Sequence, residues 1–416
     1  MTGEELLKLK ESKVFRQPTM DTIINEFVPP EDTFLLTDKF LPFKLVDKDE
    51  LVDLINHGAF GRTNPINLGA DHKRIAIPGN SYKEHSAGHW REAVQFDEEV
   101  LAKAVNPAKP TERWGDGLAT AALNFLDLRL NNLIEYVTSK ILINGSYSEA
   151  RYGINYTYNP NIPAKYYKNV TSTPGWTTGG TWATAASATP IADIIGMKQF
   201  METQGFNVDS VYMSINTLEK FYGATATQNM VKASPALVGN SANRQFVFET
   251  LTGVKIITDN RRYAEEARFA AISAAADTVL DVDSAAEFTA GDVITLRNTL
   301  GQEEDRTIDS ITGNAITITA GTTYAYKAGD RVTVYKQFLP DNYVIFSATN
   351  NDRVSPNNWI STPSLVKGKS WTNPLPGRYT WTDFQVKVPY TLEIGAGIDG
   401  GPRVGRASWS NLKVVA

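Results

Sequence analysis

Cysteine is absent from the 416 residues. That excludes disulfide staples, thiolate nucleophiles and every zinc site that uses sulfur, so the fold stands on packing. Only four histidines occur, which leaves little material for metal ligation or general-base chemistry. No run approaches the roughly 20 consecutive apolar residues that cross a bilayer. The stretch from Met1 to Lys13 alternates charge with leucine instead of forming an apolar signal core, so a soluble, unexported product is expected. Charge of one sign is not in excess either: 41 Lys+Arg stand against 46 Asp+Glu, and a net charge of −5 offers no general grip on nucleic acid.

What is present is ample core material, with hydrophobic residues at 42%. For this length a prior of about one domain per 150 residues gives two or three domains. Residues 1–60 mix a short amphipathic segment with Phe34-Leu35-Leu36 and Phe40-Leu41-Pro42, the texture of an extended arm. Between Gly69 and Val105, Arg74-Ile75-Ala76-Ile77 and Ala93-Val94-Gln95-Phe96 alternate around a polar stretch from Gly79 to Gly88, which predicts a long β-hairpin with a charged end.

The strongest element follows. Leu118, Ala122, Phe125, Leu126, Leu130, Leu133, Ile134, Val137 and Ile141 repeat at three- and four-residue spacing, predicting one helix over 115–143 with Asn144-Gly145 as its stop. From Pro190 the pattern becomes α/β. A helix ends at Gly205, Val208 to Met213 reads as a strand, Asn216 as a helix cap, and Asn243 to Thr250 as a helix leading through Gly253 to the strand Val254 to Ile257.

Residues 269–336 carry an internal echo, Phe288-Thr289-Ala290-Gly291-Asp292 and Tyr326-Lys327-Ala328-Gly329-Asp330, each followed by alternating β residues. Two related hairpins predict a small all-β barrel inserted into the α/β region. Strands at Tyr343 to Phe346, Tyr379 to Val388, Thr391 to Ile394 and Leu412 to Val415 close the chain.

Motifs of chemistry fare poorly. Gly395, Gly397 and Gly400 spell G-x-G-x-x-G after an apolar strand, but no helix follows to hold a pyrophosphate, and a glycine-rich turn between strands is the expectation. His85 and His89 with Glu84 fall on a polar hairpin end, away from any H-E-x-x-H order. Glu98-Glu99 and Glu303-Glu304-Asp305 supply carboxylates for glycoside hydrolysis, with Trp and Tyr suited to sugar stacking, yet nothing fixes two of them at a catalytic separation. Asn155-Tyr156-Thr157 and Asn169-Val170-Thr171 match glycosylation acceptors by chance if the product is not secreted. No Gly-x-Ser-x-Gly and no P-loop anchors an enzyme reading, and no cofactor or metal is expected.

The order of these elements, with Thr138 to Gly145 closing the long helix, Gly179-Gly180-Thr181-Trp182 followed by Pro190 to Ile194, Val211 to Ser214, Phe338 to Asn342, and the final strands from Thr382 to Ala416, resembles the major capsid proteins of tailed phages with the Hong Kong 97 phage fold, most of all the lambda-type major head protein family. The β insert is the departure from the lambda-type pattern. The resemblance implies an α+β fold divided into an N-terminal arm (1–60), an extended β-hairpin loop (61–110), a peripheral domain with a spine helix (111–189), the first part of an axial domain (190–268), the inserted β domain (269–336), the axial return (337–378) and peripheral C-terminal strands (379–416). It implies self-assembly into pentamers and hexamers of an icosahedral shell, with scaffolding protein, portal and a decoration protein as further partners. Packaged double-stranded DNA would be contacted non-specifically, no membrane would be involved, and the product would reside in the virion after assembly in the host cytoplasm. Lys83, Glu84, Arg91 and Glu92 on the hairpin would face a neighbouring subunit. Two other readings stay open: a β-rich carbohydrate-binding protein or hydrolase, and an encapsulin-like compartment shell.

Overall fold

A computed structural model describes residues 33–45, 50–56, 80–86, 88–97, 111–149, 155–171, 180–234, 237, 243–348, 357–362, 377–385 and 391–414. In chain order the elements are α1 (Thr37–Phe40), β1 (Phe43–Leu45), β2 (Glu50–Asn56), β3 (Asn80–Ser86), β4 (Gly88–Asp97), α2 (Thr111–Asn144), β5 (Tyr147–Glu149), β6 (Tyr156–Tyr158), β7 (Tyr167–Asn169), α3 (Pro190–Thr203), β8 (Val208–Met213), α4 (Ile215–Gly223), α5 (Thr225–Ala233), α6 (Arg244–Thr252) and β9 (Lys255–Thr258). Then follow β10 (Arg262–Arg268), β11 (Val279–Asp281), β12 (Val293–Arg297), β13 (Glu303–Thr312), β14 (Ala315–Ile318), β15 (Arg331–Gln337), β16 (Tyr343–Ala348), β17 (Asn358–Thr362), β18 (Arg378–Gln385), β19 (Thr391–Arg403) and β20 (Trp409–Lys413). Two compact units divide the chain: one takes 1–148, 156–257 and 342–416, the other 149–155 and 258–341.

In the first unit α2 runs for 34 residues, about 50 Å at about 1.5 Å per residue, and Gly145 at φ +75° ends it. Its apolar stripe is buried much as the spacing predicts, with Leu118 and Leu133 partly buried and Phe125 49% exposed. Polar residues extend the buried face instead, for Asp127, Asn131, Glu135 and Thr138 recur at spacings of four, four and three and are all buried. The helix packs along β19, the centre of a five-stranded sheet. One edge of β19 pairs antiparallel with β4, from Thr391 opposite Asp97 to Gly400 opposite Gly88. The other edge pairs with β18 and then β17, and β1 joins β17 in parallel.

This pairing corrects the expected hairpin. β4 belongs to the β19 sheet, and β3 pairs instead with β2, Glu50 opposite Ser86 through Asn56 opposite Asn80, so the polar stretch is a strand and not a tip. Residues 74–77 lie outside the described residues. The reason is edge satisfaction: β4 gains a ten-residue ladder on β19 that a short local hairpin does not offer. The segment read as an extended arm also folds locally, since Leu36, Phe40 and Leu41 are buried around α1; residues 1–32 lie outside the described residues.

A second sheet runs β7-β20-β16-β8-β9. It buries Val211, Met213, Val344, Phe346 and Leu412 against Ile194, Met197 and Met201 of α3 and Phe221 and Phe248 of α4 and α6. Ser214, and not Asn216, caps α4, its Oγ accepting the Thr217 N–H at 3.1 Å; Asn216 lies inside the helix. Asn243 caps α6 and Gly253 leaves it at φ +65°, as read from the sequence.

The second unit holds a six-stranded antiparallel sheet in the order β10-β15-β12-β13-β14-β11. A bridge between Phe269 and Val282 brings its two edges together, so the sheet closes around Leu280, Ile294, Leu296, Ile308, Ile316, Val332 and Val334. Phe269 stacks on Tyr326 at 4.9 Å between ring centroids. The echoed sequence forms the same turn twice. Gly291 and Gly329 take φ of +89° and +93°, and Oδ2 of Asp292 and of Asp330 accepts the backbone N–H three residues back, each at 2.7 Å. The strands that follow pair with each other, and Thr295 lies opposite its own repeat counterpart, Thr333. The pairing is therefore two-fold symmetric about that point, with Ile294 opposite Val334 and Leu296 opposite Val332.

Candidate functional site

A network of polar and aromatic side chains forms where β4 joins β19 and α2. Along β4, alternation sends Trp90, Glu92, Val94 and Phe96 toward partly buried positions and His89, Arg91, Ala93 and Gln95 toward exposed ones. Trp90 sits 5.4 Å from the Tyr156 ring and 5.7 Å from Trp359 between centroids. Arg91 Nε donates to the Tyr379 hydroxyl at 2.5 Å and Nη2 lies 3.4 Å from both Asp399 oxygens. Tyr379 in turn donates to Asp399 at 3.0 Å, and His89 Nδ1 is 3.0 Å from the same carboxylate. Burial, and then the Asp399 charge and hydrogen bond, push the Tyr379 hydroxyl up to about 12, so it stays a donor at neutral pH.

Arg129 of α2 grips Glu92 with two bonds, Nε to Oε2 at 2.5 Å and Nη2 to Oε1 at 2.9 Å. Deeper in, Arg378 of β18 and Asp127 of α2 form an ion pair with both side chains almost wholly buried. Burial pulls the Arg378 guanidinium down to about 9, which still leaves it protonated at neutral pH. About two turns further along, Glu135 accepts the backbone N–H of Leu36 at 2.7 Å and of Thr37 at 3.0 Å, and the Thr37 hydroxyl at 2.6 Å. So α2 holds β18, β4 and α1 through three charged side chains.

The glycine motif belongs to this arrangement and not to a turn. Gly395, Gly397 and Gly400 lie inside the 13-residue β19, which corrects the expectation. A Cβ on Gly395 would stand 2.1 Å from the Trp381 ring, and one on Gly397 2.9 Å from the Tyr379 ring. Gly400, at φ +153°, lets the Ile360 carbonyl approach to 2.1 Å from where its Cβ would be. Glycine here makes room for aromatic rings and a neighbouring strand.

Of the four residues expected at an inter-subunit contact, Lys83 and Glu84 lie in β3 opposite Asp53 and Val52, and their side chains fall outside the described residues. Arg91 and Glu92 bond within their own chain. Asp127, Glu135, Tyr379 and Asp399 escaped the sequence reading. The signal for the first two was present, since Asp127, Asn131, Glu135 and Thr138 keep helical spacing; Tyr379 and Asp399 gave none, being partners of a strand about 300 residues away.

No protein-family model matches this sequence, and no curated protein matches it. By structure the chain is similar to a prophage protein of E. coli CFT073 assigned as a capsid protein, at 10% identity and a TM-score of 0.50, over 97% of this chain and 100% of that one. The chain has the fold of that capsid protein. It aligns as well with a phage-related protein from Bordetella bronchiseptica RB50, at 11% identity and a TM-score of 0.44 over 97% of this chain and 98% of that one. The SrpI encapsulin of Synechococcus elongatus PCC 7942 aligns at 11% identity and a TM-score of 0.39, over 96% of each chain.

On this capsid-protein fold Glu303, Glu304 and Asp305, singled out for hydrolysis, have other duties; Glu98 and Glu99 lie outside the described residues. Glu304 is tied to the backbone N–H of Thr323 and Tyr324, to the Tyr326 hydroxyl and to Arg306. Burial would push its carboxyl up, but these hydrogen bonds outweigh burial and hold it below the usual carboxylate range. Glu303 pairs with Arg297 at 3.3 Å and Asp305 accepts from Thr295 at 2.7 Å. His85 and His89 lie on separate strands, and among the described residues no group of three metal-ligating side chains gathers. No helix among the described residues is long and apolar enough to cross a membrane.

Proposed function

We propose that the chain is the major capsid protein of a tailed double-stranded DNA phage, with the Hong Kong 97-type division of labour. The observation that carries this is the end-to-end likeness to the E. coli CFT073 prophage protein, with almost nothing of either chain left over. On this reading the β2–β3 ribbon is the extended loop that lies over a neighbouring subunit, α2 is the spine of a peripheral domain completed by β17 to β19, and the sheet with α3 to α6 is the axial domain. Residues 258–341 are an insert.

Its work is assembly. Heterologous contacts between identical subunits close into pentamers and hexamers because the rotation per subunit closes, and these build an icosahedral shell. The network of Arg91, Tyr379, Asp399, Glu92 and Arg129 supports this by fixing the ribbon's root to a rigid helix and sheet, so that strain on the ribbon passes to the subunit core. Scaffolding protein, portal and a decoration protein are the further partners, and DNA is enclosed without tight phosphate contacts, in keeping with the net charge of −5.

Negative-stain electron microscopy of the full chain, expressed alone and with its neighbouring genes, tests this. Uniform angular shells tens of nanometres across are expected, filled with DNA when portal and terminase are supplied. Shells filled by a cargo enzyme would make it a compartment protein instead. Small discrete particles under every condition, with binding to a glycan panel, would overturn both shell readings. Reversing Lys83 and Glu84 together is expected to weaken shells and leave the monomer folded.

A further inference from the structure

The barrel of residues 258–341 carries an anomaly of charge. It has fourteen acidic and eight basic residues, a net of −6, yet three arginines stand side by side across its outer face. Arg268 lies opposite Arg331, and Arg331 opposite Arg297. All three are exposed; among the described residues only the Arg297 side chain has a carboxylate partner, Glu303, while Asp283 accepts the backbone N–H of Arg268 at 2.9 Å. Like charges in directly opposed positions destabilise a sheet, so this row costs the barrel stability within one chain.

Its position gives the row meaning. The chain enters the barrel before Arg262 and leaves after Gln337, which are paired at one end. Arg268, Arg331 and Arg297 lie at the opposite end, together with the turns that carry Lys327, Leu300 and Ile272. Leu300 is 83% exposed and Ile272 79%, the two most exposed large hydrophobics of the chain's described residues. One tip thus joins four cations, with Glu303 and Asp283 beside them, to two bare aliphatic side chains. The flank offers the complement. Glu266 and Asp305 lie in one outward row across the strands, with Thr333 and Thr295 between them. Val293 and Tyr335, 58% and 60% exposed, stand on the same outer face.

We propose that the tip of one barrel docks on the flank of the barrel of a second copy, arginines on Glu266 and Asp305, and Leu300 and Ile272 on Val293 and Tyr335. The occupant is a second copy because the acidic and apolar complement is on the barrel itself. Nucleic acid is disfavoured by the net −6 and by the bare aliphatics, which gain nothing from phosphate. Tip on flank is a heterologous contact, able to link subunits in series or close a ring. The contact requires self-association but not a shell, and only its use in a capsid rests on the proposed function.

The absence of native cysteine supplies a clean test. Full-length Leu300→Cys and Val293→Cys proteins, each verified as folded by circular dichroism, are mixed with oxidised glutathione, which takes up the two electrons as two thiols join. The mixture is expected to give about tenfold more cross-linked dimer than either protein alone, and about 0.5 M salt or R331E with R297E on the tip partner to remove most of that gain. E266R with D305R on the flank partner is expected to restore it to the reversed tip. Equal cross-linking in the mixture and the separate proteins, or yields indifferent to charge reversal, would overturn the contact. Shells without the cross-link would sink this inference alone; the cross-link without shells would sink only the capsid reading.

Discussion

The two units treat charge in opposite ways. The helix-and-sheet unit buries it: Asp127 with Arg378, Glu135 with Leu36 and Thr37, Asp193 with Trp182, each pair inside the protein. The barrel keeps most of its charge outside and uses its buried carboxylates to close turns, as Asp330 does for the N–H groups of Lys327 and Thr299. The separations differ just as much. Arg378 and Asp127 are about 250 residues apart, whereas the turn bonds of Asp292 and Asp330 reach N–H groups three positions back, with Lys336 and the Thr299 N–H as their added, more distant partners. A long-range buried pair orients one element against another and is intolerant of losing a partner; a short-range turn carboxylate stabilises a structure that its neighbours in sequence already favour.

The sharpest way to break this comparison is to unpair a buried charge. Arg378→Leu leaves the Asp127 carboxylate buried alone and is expected to cost about 3–5 kcal/mol in denaturant unfolding. Replacing both residues with Leu is expected to recover most of that loss, because the carboxylate goes with its partner. A single variant as stable as the parent would show that the pair orients nothing.

A smaller effect is expected from Asp193. Burial, opposed in part by the Trp182 Nε1–H bond at 2.8 Å, raises its carboxyl to about 6, and its other oxygen has no partner. A carboxyl raised in the folded state favours folding when protonated, so its contribution is complete below the unfolded value near 4 and is lost as pH climbs through about 6. Across that window the loss is about 2–3 kcal/mol, and Asp193→Asn, which still accepts from Trp182, is expected to flatten it. Stability curves of parent and variant at pH 4, 5, 6 and 7 decide; parallel curves would remove Asp193 from the account.

The smallest effects belong to the barrel turns. Asp292→Ala is expected to cost about 1 kcal/mol, and Asp330→Ala somewhat more, since Asp330 is buried and also accepts from Thr299 at 3.0 Å. Scanning calorimetry of both variants tests whether two copies of one motif carry unequal weight; a loss as large as that of Arg378→Leu would erase the contrast between the units.

This contrast also explains what could be read in advance. The long helix, the strand from Val208 to Met213, the Asn243 cap with the Gly253 exit, and the doubled turn of the barrel all rest on interactions within a few residues, and each follows from periodicity or turn chemistry. The helix reading erred where its face turned polar, because Asp127 and Glu135 look like surface residues until their partners are known. The glycines of β19 were misread for the same reason: glycine in sequence signals a turn, and only Trp381 and Tyr379 on the adjoining strand show that it makes space. Lys83 and Glu84 were assigned to a hairpin end because the strand that pairs with them, 50–56, lies well upstream.

By itself, then, the sequence determined the long helix, the strand from Val208 to Met213 and the helix from its Asn243 cap to Gly253, that no thiol chemistry takes part, and that the barrel repeats one turn. Tertiary structure decided which strand β4 would join, that Arg91 and Glu92 would bond at home, and which charges would be buried. The physical reason is range. Hydrogen bonds in a turn or helix are selected by neighbours, but a ladder between β4 and β19 or an ion pair between α2 and β18 exists only once the chain has brought together residues hundreds of positions apart, and many pairings compete for each edge until the packed helix selects one.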